Sequence, residues 1–462
     1  MKSYRMQLSV MMFLEFFIWG AWLPLIFGYL PSMGFNAEWQ QPLILGAFNL
    51  AAFTAMFFST QFADRNFSAE RFLSFSMVVG GAAILGLAFI KPGVVPVDPA
   101  NPFGPKSDAP FWPFFSLMLI HSLFYVPTIS IANSIAFANL SDAQRDFGPV
   151  RLWGTIGWIA ASVPFVFVLA DWERIPAFGA VPFFDWLGAA LGTSKQGAAL
   201  RQATSYTFVA AGLASFALAA YSLLLPHTPP KPAAAGGEKL AWLEAMKLLR
   251  VPFVLVLFVV TFFDSLVHDC YFFWAGRYLE SVGIPGNWIM PVMTVGQIAE
   301  IGTMAFLGYC LKSLGWRTTM VIGILGHMAR FLVFAYAPFP AVAVLVNVLH
   351  GVCYAFFFAT VYIFVDEFFP KDARSSAQGL FNFLILGAGP LVGKFLWGWL
   401  GTKYQITAEP PTYDFQQLFL IPSGIALVAA LTLLFFFHPP LKAPPAHESE
   451  KEMQDHIVPE PT

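Results

Sequence analysis

Long runs of apolar residues, separated by short polar turns, recur along the whole chain. A helix of about 20 residues crosses the ~30 Å hydrocarbon core of a bilayer, and the runs have about that length. They do not alternate apolar and polar residues over about ten positions, as the strands of a membrane barrel do. The pattern therefore predicts an all-α integral membrane protein with twelve transmembrane helices. The predicted spans cover residues of about 7–30, 42–62, 72–91, 111–139, 149–171, 205–226, 251–279, 287–312, 317–337, 339–366, 374–402 and 416–438.

The predicted spans fall into two groups of six. Residues 227–250 form a polar connection rich in Pro, Ala and Gly, which is typical of a linker. We predict an N-terminal six-helix bundle at residues 1–226 and a C-terminal bundle at 251–438. A polar tail at 439–462 has the composition of a disordered segment. Two six-helix halves that rock about a central site are an architecture of secondary transporters.

Composition agrees with a membrane protein, since 57% of the residues are hydrophobic and 11% are charged. A net charge of −2 without a basic cluster argues against nucleic acid as a partner. The three cysteines fall within predicted spans and lack metal-ligand spacing, so we interpret them as packing residues. The sequence shows no nucleotide-binding loop, zinc set or nucleophile triad. We therefore expect neither an enzyme nor a bound cofactor or metal.

The distribution of basic residues predicts the orientation. With the amino terminus inside, the inner segments hold most of the 25 Lys and Arg residues. The positive-inside rule then places both termini in the cytoplasm. We expect a multi-pass monomer in the lipid bilayer of a bacterial inner membrane.

Short charged turns follow the second and the eighth predicted spans, at equivalent places in the two halves. The first contains Asp64 and Arg65 within FADRNFSAER, and the second is LGYCLKSLGWR. The first turn resembles the G-x-x-x-D-R loop signature of the major facilitator superfamily, with Thr60 in place of the glycine. We predict that Asp64 and Arg65 belong to a cytoplasmic loop or gate.

Four acidic residues lie inside apolar runs, namely Glu15, Asp264, Asp269 and Glu300. A carboxylate at membrane depth costs a few kcal/mol or more and persists where it meets a cation, a proton or a polar ligand. We predict Glu15, Asp264 and Glu300 as candidates for proton coupling. Asp269 lies off the stripe that Asp264 begins, and we interpret it as a gate or a surface partner.

Other polar residues follow helical spacing within the spans. One face of the seventh span would present Asp264, His268 and Tyr271, and Gln297 and Glu300 share a face of the eighth. Such groups can bind a hydroxylated solute or a base edge, and a histidine can exchange a proton near neutral pH. A structural hydrogen-bond cluster or a clamp between helices is the alternative at both places.

The fifth and tenth spans carry further candidates. Arg151, Thr155 and Trp158 share one face of the fifth span, where Arg151 could equally well snorkel to the inner membrane surface. His350 and Tyr354 lie one turn apart in the tenth span and could stack on a flat ring. We interpret four lone polar residues of other spans as structural. These are His121, Asn133, Arg330 and Lys394.

Several segments together resemble the bacterial nucleoside permease family, the nucleoside:proton symporters of the major facilitator superfamily. The matching segments are MMFLEFFIWGAW, FYVPTISIANSIAF, RLWGTIGW, GQIAE, ARFLVFAY, HGVCYAFFF and SAQGLF, in that order along the chain. The resemblance implies a proton-coupled importer of nucleosides that works by alternating access. It further implies nucleoside contacts from Arg151, Thr155, Trp158, Gln297, Glu300, His350 and Tyr354.

The chain departs from the family pattern at functional positions. Ala355 stands where the family has an aspartate, and Glu15 stands where family members commonly carry glutamine. In the seventh span, which of Asp264, His268, Asp269 and Tyr271 replaces the polar residues of the family is open. We hypothesise that Glu15 or Asp264 takes over proton coupling. A sugar or polyol:proton symporter of the same fold and a non-transporting receptor or sensor are the alternative functions.

Overall fold

The computed structural model describes residues 4–35, 39–55, 67–92, 110–141, 143–230, 246–369, 371–408 and 411–439. Asp64 and Arg65 lie outside these residues, so their predicted loop role stays a prediction. Most of the predicted linker 227–250 and nearly all of the predicted tail 439–462 also lie outside them.

Seven helices lie among the described residues before the linker, because uninterrupted apolar sequence satisfies its backbone hydrogen bonds only within a helix when no water is near. The helices are α1 (Arg5–Ser32), α2 (Gln40–Thr54), α3 (Ala69–Leu87), α4 (Phe111–Asn139), α5 (Ala143–Val168), α6 (Phe183–Gly192) and α7 (Gly197–Ser222). The short helix α6 lies in the segment between two predicted spans, and each of the other six overlaps one predicted span.

The part of the chain after the linker is also helical. It contains α8 (Pro252–Ser281), α9 (Ile289–Tyr336), α10 (Pro340–Leu345), α11 (Val348–Cys353), α12 (Thr360–Phe368), α13 (Lys371–Asn382), α14 (Gly389–Lys403) and α15 (Phe415–Phe436). Two π-helical turns, Tyr354–Ala359 and Phe383–Ala388, join α11 to α12 and α13 to α14. Within the described part of this half, single 3₁₀ turns lie at Leu248–Arg250 and Gly286–Trp288.

Gly315 divides α9 into the two spans that the sequence predicts at this place. Its backbone has φ 76° and ψ 172°, a conformation that essentially only glycine adopts. The turn between the eighth and ninth predicted spans is therefore centred on a residue without a side chain.

A small hairpin is the one two-stranded sheet among the described residues, and an isolated bridge pairs Ala170 with Ser194. Strand β1 (Gln405–Ala408) pairs antiparallel with β2 (Pro411–Tyr413) between α14 and α15. The Thr407 and Thr412 hydroxyls lie 2.7 Å apart across the pair.

Ten helical segments within the described residues are long and apolar enough to cross a membrane. The segment Gly286–Tyr336 counts once among them although Gly315 breaks it, and the described part of α2 has only 15 residues. The protein is therefore a multi-pass membrane protein, and the number of twelve spans stays a prediction.

Contacts divide the chain into two compact units. The first contains the described residues within Met1–Pro232 and Phe272–Thr294, and the second those within Ala233–Tyr271 and Val295–Thr462. The bundle boundaries predicted from the linker stay a prediction.

Glycines bring helices of the first unit close together. A side chain at Gly157 of α5 would collide with the Phe13 carbonyl of α1, and one at Gly20 of α1 would lie 2.9 Å from the Trp158 Cα. Membrane helices commonly use small residues in this way, because dispersion contacts grow as two backbones approach. The close approach places Trp158 directly beside α1.

Candidate functional site

The first unit holds a buried carboxylate, that of Glu15. Glu15 and its partners Tyr125 and Thr128 together form what we call the Glu15 cluster. Glu15 has no exposed surface. The Thr128 hydroxyl donates to Glu15 Oε1 at 2.7 Å, and the Tyr125 hydroxyl donates to the Glu15 backbone carbonyl at 2.6 Å. Glu15 Oε2 has no hydrogen-bond partner among the described residues. Helix α4 thus supplies the groups that hold this acid in α1.

Aromatic side chains of three helices pack beside the Glu15 cluster. The Trp19 ring stacks on Phe48 with centroids 4.8 Å apart and meets Trp158 edge-on at 5.3 Å. The Arg151 guanidinium lies 3.9 Å from the centre of the Phe16 ring, in a cation–π contact. The structure therefore brings Arg151 and Trp158 of α5 against the helix that carries Glu15. Thr155 is half-buried on the same helix.

The second unit holds a larger group of polar side chains, the histidine cluster, made of Asp264, His268, His327, Arg330 and His350. His327 Nδ1 lies 2.9 Å from Asp264 Oδ1, and His327 Nε2 lies 3.1 Å from His268 Nδ1. The His268 and His350 rings stack with centroids 4.9 Å apart. Arg330 Nη1 donates to His350 Nδ1 at 2.8 Å. A continuous chain of contacts thus links a carboxylate to a guanidinium through three imidazoles.

Two tyrosines extend the histidine cluster. The Arg330 guanidinium lies 4.2 Å from the centre of the Tyr271 ring, and Tyr271 packs on His350 at 4.7 Å. The centre of the Tyr354 ring lies 6.3 Å from that of the His268 ring, and Tyr354 begins the first π-helical turn. π-Helical turns inside α-helices often occur at functional sites. The structure therefore joins five predicted residues, Asp264, His268, Tyr271, His350 and Tyr354, in one place.

Buried polar atoms without partners mark both clusters. Among the described residues, Asp264 Oδ2 and the Nε and Nη2 atoms of Arg330 make no hydrogen bond, although neither side chain is exposed. An unmet buried polar group costs about 1–3 kcal/mol, and more for a charged group. Such groups in a native protein call for a further partner, and a solute, water or proton would meet the need.

Gln297 and Glu300 lie on the part of α9 that packs on α11. A side chain at Gly296 would lie 2.8 Å from the His350 Cβ, and one at Gly351 would collide with the Glu300 backbone. Gln297 is buried, and its Oε1 has no hydrogen-bond partner among the described residues. Glu300 is half-buried. The two predicted residues are thus neighbours of the histidine cluster.

Asp269 does not lie at a surface. It is 5% exposed and forms an ion pair with Lys394 of α14, which is 6% exposed. The Trp397 indole, one turn further along α14, donates to the Leu266 carbonyl at 3.1 Å. The predicted gate role of Asp269 stays a prediction, whereas the surface alternative is wrong, because the residue is 5% exposed and its charge meets Lys394 inside the protein.

Sequence reasoning missed His327 and interpreted Arg330 as an isolated structural residue. Both belong to the histidine cluster, where they lie on the ninth predicted span three positions apart. That spacing within an apolar run is the signal that would have found them, since it places two ionisable groups on one helical face. Thr128 and Tyr125 gave no such signal, because hydroxyl groups are common in membrane helices.

Comparison with known proteins establishes the family. The family model described as nucleoside H+ symporter matches residues 1–442. The chain belongs to the nucleoside H+ symporter family. Among its relatives is the YegT protein of Escherichia coli (strain K12), which is 31% identical over 445 residues and covers 93% of each chain. The xanthosine permease of the same organism is 26% identical over 458 residues, covering 94% of this chain and 96% of the permease.

Solved structures agree on the fold. The nucleoside transporter NupG matches with a TM-score of 0.73 and 23% identity, covering 95% of this chain and all of that one. A D-xylose–proton symporter matches with a TM-score of 0.65 and 14% identity, covering 96% and 99%. The predicted fold class is confirmed: the chain is an all-α membrane protein with the fold of these two transporters.

Proposed function

We propose that this member of the nucleoside H+ symporter family imports nucleosides together with protons by alternating access. The observation that carries the proposal is the match to the family over residues 1–442. The buried polar clusters give the match a physical basis, because ionisable groups persist at membrane depth chiefly on solute and proton pathways. We place the protein in a bacterial inner membrane as a monomer, with both termini in the cytoplasm.

In the second unit, the residues around the histidine cluster suit a nucleoside. Gln297 offers two donors and an acceptor to a base edge, and Glu300 offers acceptors to ribose hydroxyls. The half-buried rings of His268 and Tyr354 provide flat faces against which a base can stack, and the buried rings of His350 and Tyr271 pack beside them. We assign these side chains to substrate binding.

In the first unit, Arg151, Thr155 and Trp158 are the proposed contacts. Trp158 is half-buried and meets Trp19 edge-on, so the ring is held in place while part of it stays accessible. Arg151 is held over Phe16 by a contact that leaves the guanidinium edge able to donate hydrogen bonds. Thr155 lies one turn along the same helix from Arg151.

Transport assays on purified protein in sealed liposomes test the proposal. With an inward proton gradient of about one pH unit, wild-type protein should concentrate radiolabelled uridine up to about tenfold, because that gradient supplies about 1.4 kcal/mol per proton. Collapse of the gradient should abolish the accumulation. Competition by sugars but not by nucleosides would favour a sugar symporter, and binding without accumulation would favour a receptor.

Glu300→Gln tests the proposed ribose contact. A hydrogen bond to a charged group contributes about 1.5–3 kcal/mol, so uridine affinity should fall by about tenfold or more. The exposed Glu367 of α12 is the matched control, and Glu367→Gln should leave affinity unchanged. Equal affinities of the Glu300→Gln and wild-type proteins would remove Glu300 from the site.

A further inference from the structure

The hydrogen bonds among Asp264, His327 and His268 have only one consistent direction when the carboxylate is ionised. His327 Nδ1 faces Asp264 Oδ1 at 2.9 Å, so this nitrogen carries the proton and donates. In neutral His327 the other nitrogen, Nε2, is then an acceptor. His268 Nδ1, 3.1 Å away, must therefore donate to it. In this tautomer of neutral His268, Nε2 holds the lone pair that can take up a proton.

We propose that Asp264, His327 and His268 form a proton relay that loads the coupling proton onto Asp264. The inference rests on the proposed function and names the coupling site within it. His268 is half-buried, whereas Asp264 and His327 are fully buried. The half-buried end of the relay receives the proton, and the carboxylate stores it away from water.

The transfer balances in protons and charge. A proton binds to His268 Nε2, the Nδ1 proton of His268 moves to His327 Nε2, and the Nδ1 proton of His327 moves to Asp264 Oδ1. Both imidazoles end neutral in the opposite tautomer, and the carboxylate has gained one proton. Reversal of the three steps releases it. Each transfer crosses a contact of hydrogen-bond length, so the relay needs no large movement of side chains.

Other ionisable groups surround the relay and contribute to the net charge of this region. The groups that face the relay from neighbouring helices or from α8 are Arg330, His350, Cys353, Tyr354, Tyr271 and Lys394. Lys394 is already neutralised by its ion pair with Asp269. Among the described residues, Arg330 is the buried cation that balances ionised Asp264.

Proton loading would change the charge of the histidine cluster from neutral to positive. Arg330 has two nitrogens, Nε and Nη2, without hydrogen-bond partners among the described residues. Once Asp264 is neutral, these donors favour a solute with acceptor oxygens, and the carbonyls of a nucleobase provide them. Proton and nucleoside would thus bind together, which is the requirement for symport.

His327→Asn tests the relay. The asparagine amide keeps a donor near the Nδ1 position toward Asp264, but it removes the nitrogen that faces His268. Gradient-driven uridine accumulation should fall from up to about tenfold to about onefold, while uridine exchange at equal pH on both sides is retained. A pH-sensitive dye inside the liposomes should report proton uptake with uridine for wild-type protein and none for the variant.

His121→Asn is the matched control. His121 is fully buried in the first unit, and its Nδ1 lies 2.9 Å from the Gly80 carbonyl, so asparagine preserves the same kind of contact. This variant should accumulate uridine as wild-type protein does. Full accumulation by His327→Asn, or loss of exchange together with accumulation, would overturn the relay. Failure of wild-type protein to accumulate uridine would instead contradict the proposed function.

Infrared difference spectra provide a second measurement in case His327→Asn does not fold. Acidification of wild-type protein should produce a protonated-carboxyl band that is absent in Asp264→Asn, together with a tautomer change of neutral imidazole. If the same band persisted in the spectrum of the Asp264→Asn protein, the stored proton would lie elsewhere and the assignment would be refuted.

Discussion

The buried ion pair between Asp269 and Lys394 yields a sharp prediction on stability. Both side chains are about nine-tenths or more buried, so neither charge can turn to water when its partner is removed. Removal of one partner of a buried pair costs about 3–5 kcal/mol, whereas replacement of both by apolar residues of similar volume is often neutral. Lys394→Met and Asp269→Leu should each destabilise the protein by about that amount, and the double variant should regain most of the loss.

The assay is a double-mutant cycle on the free energy of unfolding of purified protein in detergent, with wild-type, both single variants and the double variant. Uridine transport by the double variant is measured in parallel. The pair links α8 to α14. If the double variant still transports uridine, the pair has a structural role only, and if the double variant is stable but no longer transports uridine, the predicted gate is supported. A double variant no more stable than the worse single variant would refute the reasoning on compensated charge.

Three further predictions concern helix geometry and the Glu15 cluster. Gly315→Ala should cost about 1–3 kcal/mol, because its φ and ψ exclude a side chain, and thermal unfolding measures the loss. Gly351→Leu should push α11 away from the Glu300 backbone and weaken uridine binding, which an equilibrium binding assay measures. Gly302 faces open space, so Gly302→Leu should leave uridine binding unchanged. Thr128→Val should destabilise by about 1–3 kcal/mol, because Glu15 Oε1 loses its donor; an unchanged unfolding midpoint would contradict this.

Several parts of the site were predictable because they repeat along a single helix. Asp264, His268 and Tyr271 follow helical spacing on α8, and the structure places them in one cluster. His350 and Tyr354 lie one turn apart and reach the same cluster. Spacing along one helix fixes which side chains share a face, so predictions of this kind need no knowledge of neighbouring helices.

Partners on different helices were not predictable in this way. The contacts of Asp264 with His327, of Asp269 with Lys394 and of Glu15 with Thr128 each join residues more than sixty positions apart. Whether two such residues meet depends on the rotation and depth of both helices. A single sequence records neither quantity, and this is why Arg330 was interpreted as a lone structural residue.

The apolar runs alone establish the class of protein, since their length and frequency permit only membrane helices. The motifs within them indicate the nucleoside permease family. Which buried charges compensate one another follows only from the packing of the helices. The physical reason is that glycines such as Gly157 and Gly351 set how closely helices approach, and that approach fixes which polar side chains come within hydrogen-bond distance.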